Sequence, residues 1–288
     1  MSGFDGLRVL AFESRRAAEL AKLISTYGGR PVVAPSMREV PLESNTEALA
    51  FAAKLFAGEF EIVIFLTGVG ARALLTVVET SYKRDEYIAS LQRTKVVARG
   101  PKPVAVLREL GIIPAIIAPE PNTWRELLRA FDDASNSNAE FRLRGARVAV
   151  QEYGVSNPEL LSGLTERGAH VTRVPVYQWA LPEDLGPLRA AVQALAVGDI
   201  DVALFTTSVQ ATHLFQVAAE MNMEDSMRNG LSRAVVASIG PTTSEELLRR
   251  GIRADLEPSH PKMGFLVKET AERAAELLNR KRAGKASA

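Results

Sequence analysis

The sequence predicts an α/β protein of two similar domains, each a mostly parallel sheet flanked by helices, and three observations predict it. Short Val/Ile-rich runs alternate with Ala/Leu/Glu/Arg stretches of helical period along the chain. The runs are apolar at successive positions, which is the pattern of strands buried on both faces. Landmarks also recur at a nearly fixed offset. Gly100-Pro101 and Gly240-Pro241 lie 140 positions apart, as do Gly111 and Gly251, and as do "FLTGVGARALL" from Phe65 and "FTTSVQATHLF" from Phe205. "RVLAFESR" from Arg8 and "RVAVQEYG" from Arg147 match at a spacing of 139. Any α/β chain repeats strand, glycine and helix, but a shared order at one offset points to internal duplication.

In chain order, the first half is expected to hold strands near 7–12, 31–34, 61–66, 95–98 and 113–117. Helices follow them near 14–27, 45–57, 69–80, 101–110 and 122–131. The second half repeats this, with strands near 147–151, 171–174, 201–206, 235–238 and 253–256 and helices near 157–167, 184–197, 209–222, 242–250 and 263–279. Gly28 and Gly168 mark turns before strands that lead to Pro35 and Pro175. Pro241 suits a first helical turn, where its missing N–H costs nothing. "DDASNSNAEF" around Asn136 reads as a polar connector, and "NRKRAGKASA" lacks a periodic apolar face, so the chain is expected to fray after about residue 279.

Composition narrows the function classes. The 288 residues are 47% hydrophobic and 24% charged with a net charge of +1, values of a soluble globular protein with no global pull toward nucleic acid or membrane. There are no cysteines, so disulfides, thiol nucleophiles and thiolate metal sites are excluded. The opening "MSGFDGLRVLAFESRR" has charges close to its apolar run and fits neither a signal peptide nor an anchor, which makes the cytoplasm the default location. No exposed strand or apolar stripe stands out, and a monomer is the default expectation.

Parallel sheets place ligands at the carboxyl ends of their strands. Three polar junctions fall there: Thr67-Gly68-Val69-Gly70, Thr206-Thr207-Ser208 and Gly240-Pro241-Thr242-Thr243. Helix amides with small or hydroxyl residues beside them accept a carboxylate or phosphate, and the helix dipole favours it. The same residues serve equally as simple helix caps. Arg15, Arg16, Arg99 and Lys102 also follow strands and are suited either to an anionic ligand or to open surface. "TGVG" lacks the Gly-Lys-Ser/Thr ending of a phosphate loop, and "FESRR" after the first strand is no dinucleotide fingerprint. His170, His213 and His260 form no HxxxH pair, so metal-hydrolase and Ser-His-Asp chemistry is unsupported, and His213 reads as packing or surface. Tyr153, between "RVAVQ" and Gly154, stands at a strand end as either a packing residue or a hydroxyl reaching a cleft.

At these residues the chain resembles the uroporphyrinogen-III synthase family, from Leu7 to about Leu278. "FTTSVQATHLF", "ASIGPTTSEELLRRGI", "EYG" at Tyr153, "VPVYQW" at 174–179 and "FLTGVGARALL" carry the resemblance. It implies two α/β domains around a cleft: a discontinuous one of 1–38 plus 178–288, and a second of 39–177. The extended crossings would be "APSMREVPL" and "TRVPVYQW". It implies cyclisation of hydroxymethylbilane with inversion of ring D and loss of water, in tetrapyrrole biosynthesis, without metal or organic cofactor. The implied partners are a linear tetrapyrrole with many carboxylates and a transient handover from the enzyme that makes it. Tyr153 corresponds to the family tyrosine that assists departure of the hydroxyl. Thr67, Thr207, Ser208, Thr242 and Thr243 match cleft positions, with Gly68, Gly240, Arg15 and Lys102 beside them. "ARGPKPV" departs from the family's Gly-x-x-Thr pattern by placing Lys102 near the helix start. The alternative reading is a cytoplasmic two-lobed protein that binds or senses an anionic ligand without catalysis.

Overall fold

The structure, a computed structural model, describes residues 3–42, 45–154 and 156–285, with the backbone alone at residues 41, 153 and 283–285. The chain forms two compact units, Met1–Arg38 with Ala180–Ala288, and Glu39–Trp179.

The first unit is built on a four-stranded sheet of order β10-β9-β1-β2, from β1 (Arg8–Ala11), β2 (Arg30–Val33), β9 (Val202–Phe205) and β10 (Val235–Ser238). β1 pairs in parallel with β2 and β9, and β9 with β10. Strand period decides its two cores. Leu10, Phe12, Ala203, Phe205 and Val236 meet α8 (Gly186–Val197), α9 (Ser208–Glu220), α10 (Glu224–Arg233) and α11 (Pro241–Arg249) on one face. Val9, Ala11, Val202, Leu204, Val235 and Ala237 meet α1 (Ala17–Thr26) and α12 (Met263–Lys285) on the other.

The second unit holds a six-stranded sheet of order β3-β8-β7-β4-β5-β6. Its strands are β3 (Arg38–Pro41), β4 (Ile62–Phe65), β5 (Lys95–Ala98), β6 (Ile116–Ile117), β7 (Arg147–Gly154) and β8 (His170–Ala180). The pairings from β8 through β7, β4 and β5 to β6 are parallel. α2 (Thr46–Phe56), α3 (Gly68–Glu79), α4 (Arg84–Gln92) and α5 (Pro101–Glu109) pack over Val63, Phe65, Val96, Ala98 and Ala149. α6 (Trp124–Ser137) and α7 (Pro158–Glu166) cover Ile62, Ile64, Val97, Val148 and Val150 on the opposite face.

Several expectations are corrected. The expected connector around Asn136 is helical: α6 runs to Ser137 and a 3-10 turn spans Ala139–Phe141. Thr123 and Glu126 close a capping box that starts this helix, and Leu127, Leu128 and Phe131 bury its apolar face. The expected strand at 253–256 is reduced to one bridge, Ala237 to Leu256. The expected frayed end is helical as far as it is described, because α12 continues to Lys285; residues 286–288 of that tail lie outside the described residues. Lys281 holds that extension by pairing with Asp255 at 2.5 Å and donating to the Ala234 carbonyl at 2.6 Å. β3 and the long β8 give both proline-marked crossings strand character, and β7 runs through Tyr153 to Gly154. Among the described residues, no helix is long and apolar enough to cross a membrane.

Candidate active site

Each unit gathers its own share of the candidate residues at the carboxyl edge of its sheet. In the first unit β1, β9 and β10 are neighbours, so the segments after them come together. Ile239 N–H donates to the Phe205 carbonyl (2.8 Å), which continues the ladder past the strand ends. Arg15 is exposed there, Thr207 and Ser208 are half-buried, Thr242 is exposed and Thr243 is buried. Thr207 is the N-cap of α9 and Gly240 the N-cap of α11, with Pro241 in its first turn; neither helix has a side-chain cap. The hydroxyl expected to cap α9 therefore does not do so. The neighbouring Thr206 is the engaged one: its N–H donates to Gln210 Oε1 (2.7 Å), Gln210 Nε2 donates to its hydroxyl (2.8 Å), and that hydroxyl donates to Glu13 Oε2 (2.7 Å). At the third junction the buried Ser238 shares a 2.5 Å hydrogen bond with Ser244.

The second unit brings together Thr67, Gly68, Lys102 and the end of β7. Thr67 is extended at φ −144°, and its hydroxyl accepts from Gly70 N–H at 3.0 Å, a true N-cap of α3. Gly68 is needed because α5 crosses close by: a Cβ would stand 2.7 Å from the Lys102 carbonyl oxygen. The Lys102 side chain is exposed, one residue into α5 after Pro101. Two helix N-termini, each of partial positive charge, thus sit side by side, with the exposed Lys102 in the first turn of one.

The backbone of Tyr153 is the penultimate residue of β7, and its side chain lies outside the described residues. Its neighbours are firmly held. Glu152 is 4% exposed. Its carboxylate accepts from Arg173 Nε and Nη2 (both 2.9 Å) and from the Ser156 hydroxyl (2.8 Å). Gly154 has φ +60°, and Trp179 Cδ1 lies 1.9 Å from where a Cβ would be, so no side chain fits there. The β7–β8 register shifts between Glu152 and Gly154.

Sequence reasoning missed Gln151, Glu152, Glu13 and Gln210. Gln151 is fully buried beside Gly70 and Gln210 is 1% exposed, and buried carboxamides at strand–helix junctions pass as ordinary polar residues in a sequence. His213 is buried, with Nδ1 2.7 Å from the Ser36 carbonyl, and desolvation lowers its pKa below the ordinary histidine value. It is packing, outside the junctions. A cavity of about 470 Å³ lined by Lys54, Phe60, Arg147, His170 and Thr172 lies at the opposite, amino edge of β7 and β8, away from all these residues.

The two units define an α/β class: parallel sheets flanked by helices, with helices starting at the carboxyl edges and no nucleotide fingerprint. Within that class the chain belongs to the uroporphyrinogen-III synthase family: the family model described as uroporphyrinogen-III synthase HemD matches residues 18–268. A protein of Methanothermobacter thermautotrophicus, provisionally described as a uroporphyrinogen-III synthase, is 30% identical over 240 residues, 83% of this chain and 87% of its own length. The uncharacterised protein YjjA of Bacillus subtilis is 31% identical over 273 residues, 94% of this chain and 97% of its own. A solved mutant uroporphyrinogen III synthase from the extremely thermophilic bacterium Thermus thermophilus shares the fold, with a TM-score of 0.72 at 23% identity over 94% of this chain and 99% of that one.

Proposed function

We propose that this chain is a uroporphyrinogen-III synthase, closing hydroxymethylbilane into uroporphyrinogen III with inversion of ring D and loss of water. Family membership over residues 18–268 carries the reading. The strand–helix junctions support it, since a substrate bearing many carboxylates suits helix amides, hydroxyls and the exposed Arg15 and Lys102. In this reading Thr67, Gly68 and Lys102 in one unit, and Thr207, Ser208, Gly240, Thr242 and Thr243 in the other, hold substrate carboxylates. The chain's task is to fold the tetrapyrrole so that the substituted carbon of ring D, and not a free one, meets the electrophile left by the departing hydroxyl. It must also exclude water from that electrophile. Tyr153 is assigned to the departing hydroxyl: its phenol donates a hydrogen bond to that oxygen as the carbon–oxygen bond lengthens. The hydroxyl leaves as water with the proton released from the pyrrole N–H as the electrophile forms.

The test supplies freshly made hydroxymethylbilane and separates the products chromatographically. Uroporphyrinogen III in excess of the spontaneously formed I isomer is the expected result. The I isomer alone, at the uncatalysed rate, refutes the enzyme reading and leaves a non-catalytic binder of anionic ligands.

A further inference from the structure

We infer that Gln151 is a positioning residue for the proposed cyclisation, locking the Glu152–Tyr153 peptide of β7 in place at the start of α3. The inference rests on the reading that Tyr153 serves the substrate, and three observations lead to it.

The first is room made for a side chain. Gly70 sits in the first turn of α3, and a Cβ there would lie 2.0 Å from Gln151 Nε2 and 2.7 Å from its Oε1, so the carboxamide fills the space the glycine leaves. The second is what the carboxamide touches. Gln151 Nε2 donates to the Glu152 carbonyl at 2.5 Å, the oxygen of the very peptide that carries the Tyr153 nitrogen. Its Oε1 faces Thr67 N–H at a long 3.5 Å, so one buried group spans the strand end and the helix start. The third is where this happens. The β7–β8 register shifts just beyond, between Glu152 and Gly154, so Glu152 opposite Pro175 is the last regular pair before the irregularity. A side-chain donor on the last carbonyl before the irregularity adds to the ladder where the ladder ends, and a fully buried Gln151 has no solvent competing for that bond.

The first unit also places a carboxamide at its junction, from the opposite side. Counting by the repeat, Gly70 corresponds to Gln210 (70 + 140) and Gln151 to Phe12 (151 − 139). There the helix supplies the carboxamide, bonded to Thr206, and the strand position carries Phe12 stacked on Phe205 at 4.8 Å. A carboxamide is therefore present at both junctions. Only in the second unit does it reach forward onto the strand end that bears the tyrosine.

Two variants separate the roles. Gln151→Met keeps the length and removes both polar contacts; Gln151→Glu keeps an acceptor toward Thr67 and replaces the donor with an oxygen facing the Glu152 carbonyl. Both are expected to lower kcat for isomer III at least about 10-fold with KM changed less than about 3-fold, the split of a group acting at the transition state rather than in holding substrate. Either variant folded and at wild-type kcat, or one that raises KM alone, overturns the inference. Hydrogen exchange of the Gln151 side-chain amide in the wild-type protein gives a second readout that needs no activity. Strong protection is expected, and exchange as fast as that of a surface glutamine overturns the inference even if both variants fail to fold. A wild-type chain that makes only isomer I refutes the functional reading, and the lock between β7 and α3 is then decided by that exchange rate.

Discussion

Gly70→Ala is the sharpest test of the packing at the α3 junction, because helix propensity and sterics pull in opposite directions. In an open helix the substitution should stabilise by roughly 0.5–1 kcal/mol. Here the new Cβ would fall 2.0 Å from Gln151 Nε2, 2.5 Å from the carboxamide carbon and 2.7 Å from Oε1, and Gln151 has no exposed surface into which to move. Forcing an extra carbon into a filled core costs about 1–3 kcal/mol. If the carboxamide swings aside, its bond to the Glu152 carbonyl is lost and the buried Gln151 amide is left unpaired, at about 1–3 kcal/mol. The two costs are alternatives, so subtracting the propensity gain from either leaves a net loss of up to about 2.5 kcal/mol. The control is Gly264→Ala, in the first turn of α12 with nothing within 4 Å of a Cβ, which should be neutral or stabilising.

The assay is urea denaturation followed by tryptophan fluorescence. Trp124 and Trp179 are the only tryptophans and both lie in Glu39–Trp179, the unit that contains Gly70, so the signal reports that unit. Gly70→Ala should lower the midpoint, and Gln151→Ala in the same chain should recover part of the loss, a coupling above about 1 kcal/mol for side chains in contact. A Gly70→Ala midpoint at or above wild type, with no coupling to Gln151, would refute the claim that the glycine exists to seat the carboxamide.

Tyr153→Phe should keep the fold and slow formation of isomer III roughly 10-fold to 1,000-fold, about 1.4–4 kcal/mol of transition-state stabilisation; wild-type turnover in a folded variant removes the leaving-group role. Thr67→Ala should cost about 1 kcal/mol of stability, because Thr67 caps α3 at 3.0 Å, whereas Thr207→Ala, which removes no capping bond, should change stability by under about 0.5 kcal/mol. Equal losses from the two would contradict the assigned caps. His213 is held neutral by burial in the fold, while in the unfolded chain it protonates near its ordinary pKa of about 6.5. The unfolded state then binds the extra proton, so stability should be unaffected above about pH 7.5 and fall as pH drops below about 6.5. An NMR titration of the imidazole with its midpoint at or above the ordinary value would reverse that sign.

The sequence made the sheet cores legible because strand period is a strong signal: β9 reads "VALF" and β10 reads "VVAS", both buried throughout. It hid α4 and α10, whose apolar stripes are thin. α4 buries only Tyr87, Ser90 and Leu91, and α10 only Met227, Gly230 and Leu231. Gly230 looks like a breaker in sequence, yet it lets α10 approach α8 so closely that a Cβ would strike the Leu195 carbonyl at 1.8 Å. Spacing decided the junctions for a related reason. Thr67, Thr207 and Gly240 each follow a buried strand, and every one proves to be an N-cap. Which hydroxyl bonds was not legible, since that depends on side chains arriving from other elements, such as Glu13 beyond β1 reaching Thr206. The least legible feature was still written in the repeat, as a pair of mismatches rather than a match. Where one half has Gly70 with Gln151, the other has Gln210 with Phe12. Taken singly, each mismatch is an ordinary divergence between duplicated halves. Together they keep one carboxamide per junction while exchanging the element that supplies it, because a side chain can enter that space only if the facing residue gives it up.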